Sequence, residues 1–176
     1  MGAVRSAALQ CRVWPQAGSV EFVDIHSHVL YGLDDGVRTA ADSRAMLEMA
    51  AAGGTTDLVA TPHANSRYPF ESAVVDAQIA ELGAASPVRL HRGCDFRLQS
   101  DTIEDALQHP SKHAINQLSY LLVEFADVAM FAHTDEVLLQ LLGAGLVPII
   151  THPERHGQLR HRPDDLARWI GFGCYV

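Results

Sequence analysis

The chain has 176 residues, 48% apolar and 19% charged, a globular composition long enough for one domain with a sizeable core. Its formal charge of -8, from 21 acidic against 13 basic residues, argues against binding a nucleic-acid backbone and suits carboxylates gathered around cations. Three separated cysteines, Cys11, Cys94 and Cys174, give neither a disulfide framework nor a cysteine metal knuckle and point to a reducing compartment, the cytoplasm. No apolar run approaches the roughly 18 residues that a membrane span needs. The start, with Pro15, Gln16, Gly18 and Ser19, reads as a disordered leader over residues 1–19 ahead of a single domain over 20–176.

"VEFVDIHSH" predicts a first strand, its β-forming residues Val20, Phe22, Val23 and Ile25 leading into histidines. "TAADSRAMLEMAAAGG" predicts a helix stopped by Gly53 and Gly54, and "TDLVATPH" a buried strand closed by a proline. Glu71 to Gly83 reads as a helix and "VRLHRGCDFRL" as one strand; the stretch around Thr102 to Leu107 is less regular. "YLLVEFA" is a short apolar strand holding one carboxylate. "DEVLLQLLGAG" is a helix, "LVPIITHPE" a strand, "PDDLARWIGFG" a helix with Pro163 near its start, and "CYV" the beginning of another strand. This alternation predicts an α/β fold with a parallel sheet covered by helices.

In such folds the chemistry sits at the carboxyl ends of the strands. Five successive strand ends carry His26 and His28, His63, Asp95, Glu124, and His152 with Glu154 and Arg155. His26 and His28, two apart on a strand, share a face and can reach one metal. Asp35 lies in the following loop, where Gly36 permits a sharp turn. Taken alone, Asp34-Asp35-Gly36 is a turn sequence. Glu124 inside an apolar strand needs a partner, whether metal or structural, because a buried unpaired carboxylate is costly. Imidazoles and carboxylates without thiolate suit Mn, Fe or Zn better than a structural zinc site, and several carboxylates permit a multinuclear cluster. Such a cluster activates water and clamps a displacement at phosphorus, and Arg155 is placed to fork a phosphate. His91, His109, His113, His133, His156 and His161 are assigned to surface or packing roles.

"DIHSHVLYGLDDG", "VATPH", "GCDFRL", "LLVEFA" and "GLVPIITHPERHGQL" occur in order, and with them the chain resembles the PHP (polymerase and histidinol phosphatase) superfamily. "HSHVLYGLDDG" with "THPER" resembles its CpsB/CapC-type bacterial protein tyrosine phosphatases. The resemblance implies a distorted, TIM-like (β/α)7 barrel, of which 20–176 is the N-terminal two-thirds, the last strands and helices being missing. It implies up to three ions, Mn2+ being usual and Fe, Zn or Mg the alternatives. By position His26, His28, Asp35, His63, Asp95, Glu124 and His152 would be metal ligands, with Arg155 and His63 in catalysis and water as nucleophile. No cysteine nucleophile is required. The implied substrate is phosphotyrosine on the tail of a tyrosine autokinase controlling capsular or exopolysaccharide production. The chain departs from the pattern in having Asp95 where the family has Glu, and in stopping before an Asp-x-His motif that supplies two more ligands. A chain lacking that end is expected to have an open sheet edge, to be prone to self-association and to be weakly active. The alternatives are a phosphoesterase acting on histidinol phosphate or a nucleotide, and a non-catalytic remnant.

Overall fold

A computed structural model of the chain describes residues 21–126, 130 and 132–176. The expected leader, 1–19, lies outside the described residues.

The elements alternate as the sequence predicts. They are β1 (Phe22–Ser27), α1 (Ala40–Ala52), β2 (Thr55–Ala60), β3 (His63–Ala64), α2 (Ser72–Gly83), β4 (Arg89–Arg92), β5 (Asp95–Arg97), α3 (Ser100–Gln108), α4 (Pro110–His113), β6 (Tyr120–Glu124), α5 (Thr134–Gly143), β7 (Val147–Ile150) and α6 (Pro163–Phe172). Every named strand pairing is parallel. Local chemistry accounts for the helix ends. Thr39 caps α1 by accepting from Asp42 N, Gly53 closes it, Pro163 opens α6, and Gly173 closes α6 at φ 112°. Among the described residues no helix is long and apolar enough to cross a membrane.

Two expectations are corrected. The run "VRLHRGCDFRL" is two strands in two different sheets, and "TDLVATPH" is likewise divided. One sheet has the order β1-β2-β4 and the other β3-β5-β6-β7. The breaks fall at Thr61-Pro62, where Pro62 has no N–H to donate, and at Gly93-Cys94. Gly93 passes so close to β2 that a Cβ there would stand 2.7 Å from Val59 Cγ1. Both runs change sheet at the same level, and they stay paired across the break, Gly93 N donating to Ala60 O and Asp95 N to Pro62 O, each at 3.0 Å. The second correction is the irregular piece expected around Thr102 to Leu107 and the "HPSKH" loop, where the structure has helix α3 and, over Pro110–His113, the short helix α4. The start of α3 is sealed by Gln99 N donating to Thr102 Oγ1 at 3.2 Å, with glutamine at the N-cap in place of the preferred Ser, Thr, Asp or Asn.

The helices pack Leu47, Val75, Leu82, Ala106, Leu138, Leu141 and Trp169 against strand residues Leu58, Phe96, Leu121 and Val123, all buried. Truncating one such leucine to alanine costs about 2–5 kcal/mol. Away from that core, Val23, Ile25, Val59, Tyr120, Ile149 and Tyr175 line a groove of about 570 Å³. Tyr175 makes a parallel bridge to Ile149, so the expected strand at "CYV" is present as that single bridge. Along β1, Val23 and Ile25 line this groove, whereas Asp24, His26 and, just beyond the strand, His28 line the cavity at its carboxyl end, and the register of β1 against β2 shifts between Asp24 and Ser27.

Candidate metal centre

Two buried threonines hold the strand ends in place. Thr61, after β2, accepts from Ser27 N at 2.8 Å and returns its backbone N–H to Ser27 O at 2.8 Å. Thr151, after β7, donates to Val123 O at 3.2 Å and to Asp95 Oδ1 at 3.3 Å. The rims of β1 and β2, and those of β5, β6 and β7, are thereby tied just where the sequence places its histidines and carboxylates.

At that rim is a cavity of about 870 Å³. Its lining includes His26, His28, Asp35, His63, Glu124, His152 and Arg155, seven of the eight residues singled out from sequence. Asp95, the eighth, is fully buried beneath it. The imidazole of His63 is central: its ring centroid is 4.5 Å from that of His28, its Nδ1 is 3.3 Å from Asp95 Oδ2 and 3.5 Å from Glu124 Oε2, and its Nε2 is 3.4 Å from Asp35 Oδ1. His26 Nε2 lies 3.5 Å from the same Asp95 Oδ2, and the His26 ring stacks on His152 at 5.4 Å. Donor atoms within 4.8 Å of one another form three overlapping triads: His26, His28 and Asp95; His28, Asp35 and His63; His63, Asp95 and Glu124. His152 is outside all three.

The backbone at His152 is left-handed, with φ 31° and ψ 53°, in front of the 3₁₀ turn Pro153–Arg155. A non-glycine residue there is strained by about 1–3 kcal/mol, and such strain concentrates at functional sites. It turns "HPER" back across the cavity. Arg155 is exposed at the mouth and makes no ion pair among the described residues.

Burial pushes the Asp95 carboxyl up, but His26 and His63 outweigh it and hold it well below its ordinary range. Burial likewise raises Glu124, and His63 with Arg97 brings it down. Asp95, then Glu124, raises His63 to about 10. Even so, His63 Nδ1 and Asp95 Oδ2, both buried, have no hydrogen-bond partner, because their separation lacks the right angle. Two buried donor atoms that face each other without bonding are what a cation between them would satisfy. The residues therefore fit a divalent metal, which would take the place of the imidazole proton.

The sequence reading passed over three further side chains. The side chain of Asp34 is fully buried and accepts from His28 Nδ1 at 2.6 Å. Arg97 lines the cavity and donates from Nε to Glu124 Oε2 at 2.9 Å. Tyr68 stacks on His63 at 5.9 Å with Arg67 over its ring. The alternation of β5 could have signalled Arg97, which sits one strand over from Glu124 in register. His156 also lines the cavity but has a packing role, bonding Ala126 O through Nε2 and capping Gln158 N and Leu159 N through Nδ1.

The family profile for capsular polysaccharide synthesis, CpsB/CapC, matches residues 22–176. CapC of Staphylococcus aureus is 32% identical over 158 residues, covering 86% of this chain and 62% of that protein. The tyrosine-protein phosphatase YwqE of Bacillus subtilis is 30% identical over 158 residues, with the same coverage. A solved structure from the pair YwqE of Bacillus subtilis and CpsB of Streptococcus pneumoniae, described as unique metal-dependent tyrosine phosphatases, superposes with a TM-score of 0.77 at 27% identity, over 87% of this chain and 64% of that one. The chain thus spans somewhat less than two thirds of the length of the relatives it matches. With the profile running from the first described strand to Val176, the chain belongs to the CpsB/CapC family of capsular polysaccharide synthesis.

Proposed function

We propose that this chain carries the metal- and phosphate-binding machinery of a metal-dependent protein tyrosine phosphatase. Its substrate is phosphotyrosine on the tail of a bacterial tyrosine autokinase that regulates capsular or exopolysaccharide production. The observation that carries the reading is the unbonded, buried pair His63 Nδ1 and Asp95 Oδ2 inside three overlapping donor triads, under a cavity with Arg155 at its mouth. His26, His28, Asp35, His63, Asp95, Glu124 and His152 hold the ions, for which Mn2+ is the first choice. Bound there, divalent ions would lower the pKa of water and draw off charge from the phosphoryl oxygens. Arg155 forks the phosphate oxygens through charge-assisted hydrogen bonds and offsets charge on the leaving phenolate. His63 faces Asp35 through one nitrogen and Asp95 with Glu124 through the other, so the nitrogen that takes no ion would be the one to hold or pass a proton at the same centre.

The all-parallel order, with Tyr175 extending it beyond β7, supports reading 20–176 as the N-terminal two-thirds of a distorted (β/α)7 PHP barrel. The Asp-x-His motif of the resemblance would then come from the remainder. The test is turnover of a phosphotyrosyl peptide against histidinol phosphate, with Mn2+ present. It is run on this chain and on a fusion carrying the part of YwqE outside the match. Faster hydrolysis of the peptide, lost by at least about a hundredfold in Arg155→Ala with Mn2+ binding retained, is expected. Preference for histidinol phosphate would replace the substrate assignment. Absence of hydrolysis by both proteins would remove the enzyme reading.

A further inference from the structure

Two adjacent aspartates, Asp34 and Asp35, follow the first strand, and the fold separates them completely. The Asp35 side chain is 67% exposed and reaches over His63 from the solvent side, whereas that of Asp34 is 0% exposed and lies underneath. A carboxylate serving only a turn needs one bond, and Asp34 Oδ1 makes it by accepting from Gly36 N at 2.9 Å. Its other oxygen does something a turn does not require. Asp34 Oδ2 accepts from His28 Nδ1 at 2.6 Å and from the backbone N–H of His63 at 2.9 Å, joining the end of β1 to the start of β3. The packing leaves no slack. A Cβ at residue 36 would stand 2.7 Å from His28 O and 3.0 Å from Asp34 Oδ1, so glycine is needed for the loop to close.

We propose that Asp34 is the positioning residue of the centre: it fixes the tautomer and ring direction of His28 and sets His63 against it. The inference rests on the reading of His28 and His63 as metal ligands. An ionised carboxylate can only accept, so the short bond requires a proton on His28 Nδ1, which in the neutral imidazole leaves the lone pair on Nε2. Of the two imidazole nitrogens, Nε2 is therefore the one presented to a metal. The bond to His63 N fixes where the backbone of the neighbouring ligand begins, which keeps the two rings at 4.5 Å. A carboxylate behind a metal-binding histidine raises ligand basicity and holds its orientation, and removing it costs about 10–100-fold in affinity.

The experiment uses the full chain, labelled with 15N and stripped with EDTA, at pH 8.5. Long-range proton–nitrogen correlation distinguishes the two neutral tautomers of His28, with His28→Gln assigning the signal. The Nδ1–H form is expected in the unsubstituted chain. In Asp34→Ala the Nε2–H form favoured by free imidazole should appear, and Mn2+ affinity by calorimetry should fall about 10–100-fold. Asp34→Asn, whose amide oxygen still accepts from Nδ1–H, should keep the Nδ1–H form and weaken Mn2+ less than alanine does. Finding the Nε2–H form in the unsubstituted chain overturns the proposal, and that measurement does not depend on any variant folding. An unchanged Nδ1–H tautomer in a folded Asp34→Ala overturns it too. Should the tautomer behave as expected while the unsubstituted chain binds no Mn2+, the positioning role stands and the metal reading falls.

Discussion

Two histidine–carboxylate clusters stand on different strands, one on β2 and β4 and the other at the ends of β1, β3, β5 and β6, and only the second is left unsatisfied. In the groove, Asp57 accepts from Arg89 Nε at 2.8 Å, Arg89 Nη2 at 2.7 Å, Thr56 Oγ1 at 2.9 Å and His91 Nε2 at 2.8 Å, while Asn116 Nδ2 closes the circuit on His91 Nδ1 at 3.1 Å. Arg89, then His91, holds the Asp57 carboxyl well below its ordinary range, and no polar atom of the pair is stranded. At the rim the same residue types leave His63 Nδ1 and Asp95 Oδ2 buried and unbonded. The groove cluster brings its own cation, the Arg89 guanidinium. The rim cluster sets Asp95, Glu124, Asp34 and Asp35 around histidines, and although Arg97 pairs with Glu124, His63 Nδ1 and Asp95 Oδ2 still have no hydrogen-bond partner. Proximity of histidine to carboxylate is thus a poor signature of a candidate metal site, and buried ligand atoms that are both unbonded and gathered into donor triads are a better one.

The sharpest way to break this contrast is to remove one histidine from each cluster. His63→Ala, which takes a member from two of the three triads, should weaken Mn2+ binding by more than about a hundredfold, exceeding the usual effect of a supporting residue. His91→Ala should leave the affinity within about twofold, because its partners form a closed circuit. Isothermal calorimetry on both variants decides it, and equal losses would mean that the groove, too, feeds the metal site.

A smaller effect sharpens the same point through stability. A metal that binds only the folded chain stabilises it by linkage, about 2.7 kcal/mol at a concentration one hundred times Kd. Thermal melting with and without Mn2+ should show that gain in the unsubstituted chain and none in His63→Ala. A gain of equal size in both would place the ion elsewhere.

The smallest expected effect comes from a third cluster, which is buried and closed. His113 Nε2 donates to Asp105 Oδ2 at 2.7 Å, its Nδ1 is 3.7 Å from the buried Cys94 thiol, and Phe70 and Phe96 flank its ring. Burial lowers the pKa of His113 in spite of Asp105. The unfolded chain therefore takes up this proton first as the pH falls below about 6.5, and folding loses stability from there down to the depressed native value. Between pH 7 and 5 the melting temperature of EDTA-treated protein should fall less steeply in His113→Phe than in the unsubstituted chain. An unchanged slope would show that His113 contributes nothing to acid sensitivity. Asp105, whose partners Lys112 and His113 outweigh burial and bring it to about 2, is affected only at far lower pH.

The sequence by itself determined the strand and helix alternation, the parallel arrangement and the rim on which donors would gather. Each of these follows from local periodicity and from residue types at strand ends, which a linear reading captures. It placed His26, His28, Asp35, His63, Glu124, His152 and Arg155 around one cavity without reference to any distance. What it could not resolve depends on pairs far apart in the chain. Asp34 and Asp35 are neighbours with the same chemistry, and which of them lies below the site depends on the bonds that Asp34 accepts from His28 Nδ1 and from His63 N, the latter 29 residues away. Arg97 meets Glu124 across 27 residues because β5 and β6 pair in that register. The division of two apparent strands between two sheets was equally hidden, since Pro62 and Gly93 mark a weak point in a strand but do not say which neighbour each half will pair with. Tertiary structure alone decided which buried polar atoms would find partners, because hydrogen bonding is settled by distance and angle once the strands are packed.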